Sequence, residues 1–456
     1  MNKFTKITAS IGPKCEDYDT LAQMVRAGMN VCRLNFSHDT GDVQGAKIDL
    51  IRRVASDLNT PVAIMIDLQG PKHRIGNFAT EDKYPLTIGQ KFTFDDDPTP
   101  GDATRVQLPD TDVMKSLNPG DRILLNDGKI EMTVDSVANN KIVATVVRGD
   151  EIWSRRGFNL PDTDIATSVL TQKDRADLEY AITKNPDWVA ISFVQRPEDV
   201  AEVRDFITAR TSHPIKIIAK IERPNAVERI SDIAAAADGI MVARGDLAVE
   251  VPFEQVPAIS RHIIRTCRML NRPVIMATQM LGTMVTSEFP TRAEISDVAN
   301  AAYLRTDSTM TSEETTIGVN PVNVIETMAK ILTYADYDTI SHPSDWLRTE
   351  NVPENDWSRS VASMAYLNHA SAIVVFARDT DIATKISCRK PDIPIIAVCR
   401  DMVVANQLCL SRGVFPICDD ALFGQRDGFN SARRFGIASG QLVIVDDEKI
   451  SLRSMD

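Results

Sequence analysis

The chain has 456 residues, 63 of them acidic against 51 basic, giving a formal net charge of -12. That balance excludes a general nucleic-acid binder, which needs a basic surface, but leaves room for a pocket that takes one phosphorylated molecule, since local charge decides that. At 43% hydrophobic and 25% charged residues the composition is that of a soluble globular protein, and the length predicts two to four domains.

The N-terminal MNKFTKITASIGP enters a strand pattern at once and lacks the apolar core and cleavage site of a signal peptide. No apolar run approaches the ~20 residues that cross a bilayer, so no membrane partner is expected. From residue 6, short β-branched runs alternate with helical patterns: KITASI (6–11), VCRLNF (31–36) and VAIMID (62–67), then WVAISF (188–193), IKIIAK (215–220), GIMVAR (239–244), PVIMAT (273–278) and STMTSE (308–313). Eight strand-helix units with apolar strands predict a parallel (β/α)8 TIM barrel over 1–70 and 160–340. Residues 71–159 differ: LTIGQKFTF, TRVQLP, RILLNDGKIEMTV and KIVATVVRG, separated by NPGD, NDG and ANN turns, predict a small antiparallel β domain inserted as a cap. A linker, SHPSDWLRTENVPENDW (341–357), leads to SAIVVFA, IPIIAVC, VFPI and QLVIVDD, an open α/β domain over 341–456. Seven cysteines without CxxC spacing fit reduced thiols in the cytoplasm.

Barrel chemistry gathers at the C-terminal ends of the strands. Here those ends carry Arg33, Asn35, Ser37 and His38, then Asp67, Ser192, Lys220 with Glu222, Gly245 with Asp246, and Thr278. Charges are rarely buried without partners, so their convergence on one rim points to a site. Glu222 and Asp246, from adjacent strands, suit a hard divalent ion such as Mg2+ or Mn2+, completed by water and substrate oxygens. Lys220 lies two residues before Glu222 and therefore on the same side of an extended strand. A cation beside such a metal fits a transferring phosphoryl group. Gly245 admits a close backbone approach. Residue chemistry thus reaches a metal-assisted enzyme for a small anionic substrate.

The motifs SIGP (10–13), AGMNVCRLNFSH (27–38), DLQGPKHRIG (67–76), NDGKIEM (126–132), RRGFNLP (155–161), AISFVQRPEDV (190–200), IAKIE (218–222), DGIMVARGDLAVEVP (238–252), MATQML (276–281) and PTRAEISDVANA (290–301) occur in family order. Through them the chain resembles the pyruvate kinases from the first strand to about residue 446. The resemblance implies phosphoryl transfer from phosphoenolpyruvate to ADP, a split barrel with cap and C-terminal domain, and a homotetramer. It implies that Glu222 and Asp246 hold the metal, that Lys220 and Arg33 flank the phosphoryl group, and that Thr278 helps to order the proton delivered to the enolate. Gly245, Asp246 and Ser192 would lie on the substrate, and Asn35, His38, Arg74 and Arg156 on the nucleotide. Asn35, Ser37, Asp67, Leu68 and Lys72 would surround the place where many members hold potassium.

Departures from the family pattern carry expectations of their own. Lys72 stands where potassium-requiring members have an acidic residue, and Leu68 where they have Thr, so its ammonium is expected to replace potassium. His73 replaces an aliphatic residue, and Arg156 a lysine. In the eighth unit Leu304-Arg305 replaces Asp-Gly, without a physical account from the sequence. Ala377-Arg378-Asp379-Thr380-Asp381 replaces a Ser/Thr-Gly-basic phosphate loop, predicting no activation by fructose 1,6-bisphosphate. Two other readings share part of the pattern: a metal-dependent aldolase or lyase acting on pyruvate or phosphoenolpyruvate, and a catalytically weak paralogue.

Overall fold

The computed structural model describes residues 3–164, 168–341, 357–447 and 449–455. Its first three strands, β1 (Lys6–Ser10), β2 (Val31–Asn35) and β3 (Ala63–Asp67), are followed by the inserted cap. The cap comprises β4 (Tyr84–Pro85), β5 (Lys91–Asp95), β6 (Arg105–Gln107), β7 (Arg122–Leu125), β8 (Ile130–Ala138), β9 (Lys141–Arg148), β10 (Glu151–Ile152) and β11 (Phe158–Asn159). Then come β12 (Trp188–Ile191), β13 (Lys216–Ile221), β14 (Gly239–Ala243), β15 (Val274–Ala277) and β16 (Ser308–Thr311). These eight flanking strands close into a parallel barrel in the order β1-β16-β15-β14-β13-β12-β3-β2. The (β/α)8 expectation is met.

The barrel strands are apolar on both faces because each face meets a core. Outward residues such as Ile64, Val189 and Ile217 pack under the helices, while Met65, Ala190, Ile218, Met241 and Ile275 fill the interior. The helices begin where the sequence supplies caps. Thr291 and Glu294 form a capping box before Arg292–Tyr303, and Thr171 and Asp174 do so before Gln172–Ile182.

In the cap, a six-stranded sheet ordered β11-β7-β8-β9-β5-β6 is antiparallel except for the β5–β6 pair, and β4 pairs with β10. Its core includes Phe92, Phe94 and Phe158. The cap's return strand is tied to a buried pair of the barrel, Arg223 Nε to Glu250 Oε2 at 3.3 Å. Arg223 also donates to the Leu160 carbonyl at 2.7 Å, and Asn159 donates to Glu250 at 3.0 Å.

The C-terminal domain contains β17 (Ala372–Ala377), β18 (Ile395–Cys399), β19 (Val414–Cys418), β20 (Gly440–Asp446) and β21 (Lys449–Met455). They form one sheet, β19-β18-β17-β20-β21, whose last strand is antiparallel and is not among those expected from the sequence. Of the linker expected at 341–357, residues 342–356 lie outside the described residues. This domain covers the N-terminal mouth of the barrel, where Cys409 and Leu410 join the interior cluster.

Buried ion pairs hold that junction: Lys390 to Asp307 at 2.6 Å and Arg412 to Asp336 at 2.8 Å. Arg305, unexplained from the sequence, belongs to the same junction. Its backbone is left-handed, with φ of 56°, and its guanidinium meets Asp392 at 2.8 Å and the Lys390 carbonyl at 2.7 Å. The arginine that replaces the usual glycine thus spans from the barrel to the C-terminal domain.

Candidate active site

At the opposite mouth, the strand ends surround a cleft of about 300 Å3. Strand register sets its geometry: Arg33 lies beside Ser10, and Asp67 beside both Asn35 and Ala190. Arg33 Nε meets Asp67 Oδ2 at 2.7 Å, and its Nη1 donates to Ser10 Oγ at 2.7 Å. Lys220 Nζ is 3.3 Å from Asp67 Oδ1 and 3.0 Å from Glu222 Oε1, and donates to Ser192 Oγ at 2.7 Å. Two cations are therefore fixed side by side by one buried carboxylate.

The charges of this cluster are mutually maintained. Burial opposes ionisation of Asp67, but Lys220 and Arg33 outweigh it and hold its carboxyl below the usual range. Burial likewise pulls Lys220 down, yet Asp67 and Glu222 outweigh it and keep the ammonium protonated. Burial raises the Glu222 carboxyl; Lys220 opposes the rise and Asp246 adds to it. A carboxylate whose charge is disfavoured by burial and by its neighbour Asp246 forms a place where a cation gains. The donor set, carboxylate oxygens without sulfur or imidazole, fits a hard divalent ion that takes its remaining ligands from water and substrate.

Thr278 follows β15 with φ of 68°, a rare backbone for a β-branched residue. Arg244 holds it there, donating to the Thr278 carbonyl at 2.7 Å and to Asp297 at 2.8 Å. The Thr278 hydroxyl accepts the Gly245 amide at 2.8 Å, placing it beside the start of the helix Arg244–Glu250. A Cβ at Gly245 would meet Thr278 at 3.5 Å, an ordinary contact. The protein's own packing therefore does not require glycine here.

Of the residues singled out by sequence, Arg33, Asn35, Ser37, His38, Asp67, Leu68, Lys72, Arg74, Ser192, Lys220, Glu222 and Asp246 line the cleft. Gly245 and Thr278 adjoin it through Asp246. Lys72 Nζ lies 3.9 Å from Asp246 Oδ1, and the Leu68 carbonyl accepts the Ser192 hydroxyl at 2.8 Å. Arg156 is not among the lining residues: its guanidinium lies 4.9 Å from the Trp153 ring, and Nε donates to the Ser154 carbonyl at 3.2 Å. His73 pairs with Asp110 of the cap at 2.9 Å, while its chain neighbour Arg74 reaches the cleft.

Sequence reasoning missed Ser10, Gln69 and Phe193 as members of the site. Phe193 has φ of 58° and aims its amide at Glu222 Oε2, 2.7 Å away. Nothing in an apolar aromatic residue signals that role. Ser10 was within reach, being a polar strand end beside Arg33.

Comparison with known proteins agrees over the whole chain. The family model described as pyruvate kinase, barrel domain, matches residues 2–325, and that described as pyruvate kinase, alpha/beta domain, matches 355–448. A pyruvate kinase of Methylorubrum extorquens is 38% identical over 452 residues, covering 97% of this chain and 93% of the relative. One of Thermococcus litoralis is 36% identical over 442 residues, covering 95% and 92%. The crystal structure of a pyruvate kinase from Cryptosporidium parvum superposes with a TM-score of 0.92 at 29% identity, covering 100% of this chain and 96% of that one.

Proposed function

The chain belongs to the pyruvate kinase family and is a phosphotransferase, and from that premise we propose that it transfers phosphoryl from phosphoenolpyruvate to ADP through the cleft at Lys220. The observation that carries this reading is the pairing of Lys220 and Arg33 across Asp67, beside the two carboxylates of Glu222 and Asp246.

Glu222 and Asp246 would hold Mg2+ or Mn2+, which supplies charge neutralisation to the phosphate and enolate oxygens. Lys220 and Arg33 face the charge that spreads over the phosphoryl oxygens in transit. Asp67 fixes both cations in advance, so little reorganisation is needed when that charge develops. The backbone amide of Asp246 receives the substrate carboxylate, joined by that of Gly245 once it leaves the Thr278 hydroxyl; glycine leaves the approach open. Thr278, held by Arg244, keeps its hydroxyl near the enolate carbon, where it orders the proton that completes pyruvate. Ser192 orients the Lys220 ammonium. Asn35, His38 and Arg74 lie on the nucleotide side, with Arg156 brought in only by a movement away from Trp153. Closure of the cap excludes water, to which phosphoryl would otherwise be lost.

Lys72 supports independence from potassium. Its ammonium faces Asp246 in the cleft, next to Leu68, Asn35, Ser37 and Asp67. The C-terminal loop supports lack of activation by fructose 1,6-bisphosphate: Arg378 is paired with Asp447 at 2.8 Å, and Asp379 caps the Asp381 amide at 2.8 Å. The carboxylate thus takes the donor that a phosphate would need. Exposed Phe253 and Phe289 support assembly with further copies, as the family's homotetramer implies. Among the described residues no helix is long and apolar enough to cross a membrane; the reading includes a cytoplasmic setting and domains at 1–70 with 160–340, 71–159 and 341–456.

A coupled assay for pyruvate, in tetramethylammonium buffer with Mg2+, tests these points together. Turnover without potassium and an unaltered half-saturation for phosphoenolpyruvate with the sugar bisphosphate are expected. Strong stimulation by either additive would overturn the corresponding point.

A further inference from the structure

The barrel's covered mouth holds a second pocket, of about 740 Å3, between the barrel and the C-terminal domain. Its walls carry Lys3, Lys6, Arg26 and Arg434 and, among the described residues, no carboxylate, in a chain of net charge -12. Arg434 is neutralised by Asp419. Among the described residues Lys3 has only the Asn30 side-chain carbonyl at 2.7 Å, and Lys6 the Val414 carbonyl and the face of Phe415, 4.4 Å from its centroid. Arg26, exposed in the last turn of the helix Tyr18–Ala27, has no carboxylate partner among the described residues.

Nearby carboxylates are already committed. Asp336, whose charge reaches both lysines, takes Arg412 at 2.8 Å, the amides of Phe4 and Thr5 at 2.8 Å each, and the Thr5 hydroxyl at 2.9 Å. Asp307 takes Lys390 at 2.6 Å. Burial, reinforced by the charge of Lys6, pulls Lys3 down to about 7, and burial pulls Lys6 down to about 8. An entering anion would relieve both. One wall is polar, with Asn59 and Thr60; the other is aromatic, with Phe415 and Phe435 at 4.8 Å between centroids.

We propose that this interdomain pocket binds a small organic phosphate: a phosphomonoester dianion seated among Lys3, Lys6 and Arg26, with its carbon body against Phe415 and Phe435. Three cations without carboxylates match a group with more than one negative charge, and the aromatic wall matches a ligand larger than the bare ion. The site is separate from the cleft. It is nevertheless built on the same strand, since β1 begins at Lys6 and ends at Ser10, which holds Arg33.

Equilibrium dialysis of the full chain tests this, with glycerol 3-phosphate and inorganic phosphate as probes, without divalent metal and at an ionic strength fixed with chloride. The wild type is expected to retain glycerol 3-phosphate. Retention should weaken several-fold in Arg26→Gln and at least tenfold in the Lys3→Met, Arg26→Gln double variant. It should be unchanged in Lys72→Met, which alters only the cleft. Unchanged turnover at saturating substrate shows that the double variant folds; should it not fold, Arg26→Gln, on an exposed helix end, decides alone. Equal retention by wild type and pocket variants, or loss in Lys72→Met, would overturn the site. Inorganic phosphate binding as tightly as the ester would overturn the assignment to an organic phosphate.

Discussion

Replacing Arg305 by glycine and by alanine separates two opposed effects at the junction between barrel and C-terminal domain. Its φ of 56° costs a side-chain-bearing residue ~1–2 kcal/mol, a strain that glycine avoids. Against that, the guanidinium gives a mostly buried pair with Asp392 at 2.8 Å and a hydrogen bond to the Lys390 carbonyl at 2.7 Å. A hydrogen bond to a charged group contributes about 1.5–3 kcal/mol. Arg305→Gly loses the second term and recovers the first, so a net loss of about 1 kcal/mol is expected. Arg305→Ala loses the guanidinium and keeps the strain, so its loss should be about 1 kcal/mol larger. Urea unfolding followed by tryptophan fluorescence measures both, the difference corresponding to roughly 1 °C in a chain of this length. Glycine should therefore be the more stable replacement, the reverse of the ordinary helix ranking. Alanine equal to or better than glycine would refute the strain argument.

Other consequences concern the hinge, the junction and the cleft. Arg223→Met leaves Glu250 buried without its cation and should destabilise the protein by about 3–5 kcal/mol, with faster proteolysis at the cap as the accompanying sign. Burial, only partly offset by Arg52 and the Ile64 amide, raises the Asp187 carboxyl to about 6 from 3.8. The folded state then binds the proton more tightly than the unfolded chain, so this group's contribution to stability falls as pH rises from 3.8 to about 6. The stability of the wild type relative to Asp187→Asn should decline over that window by up to ~3 kcal/mol, read from urea midpoints; a flat difference would contradict it. Lys72→Met should lower turnover at least tenfold in tetramethylammonium buffer and regain part of it with potassium. A variant as active as the wild type without potassium would show that Lys72 carries no such role.

The barrel was legible because its strands are apolar on both faces, a pattern that few folds other than a covered parallel sheet produce. The cap was legible from its turns. By contrast β21, KISLRSM, escaped because it is a half-exposed edge strand with few apolar residues. The expected strands ending at Phe193 and Glu313 stop sooner, at Ile191 and Thr311. At Phe193 the backbone turns left-handed to deliver an amide to Glu222, and composition does not encode that. Charged strand ends such as Lys220 and Asp67 were found because a charge in an apolar run demands a partner. Arg305 and the second pocket were not, since Arg305 meets Asp392, and Lys6 meets Phe415, only after the C-terminal domain has docked.

Steady-state formation of pyruvate from phosphoenolpyruvate and ADP with Mg2+, in the wild type and in Lys220→Met, tests the central claim most directly. The account predicts turnover by the wild type. In the folded variant it predicts a loss of roughly a thousandfold or more with phosphoenolpyruvate binding largely retained, because the Lys220 charge acts on the phosphoryl group in transit. No pyruvate from the wild type, or an undiminished rate in Lys220→Met, would contradict it.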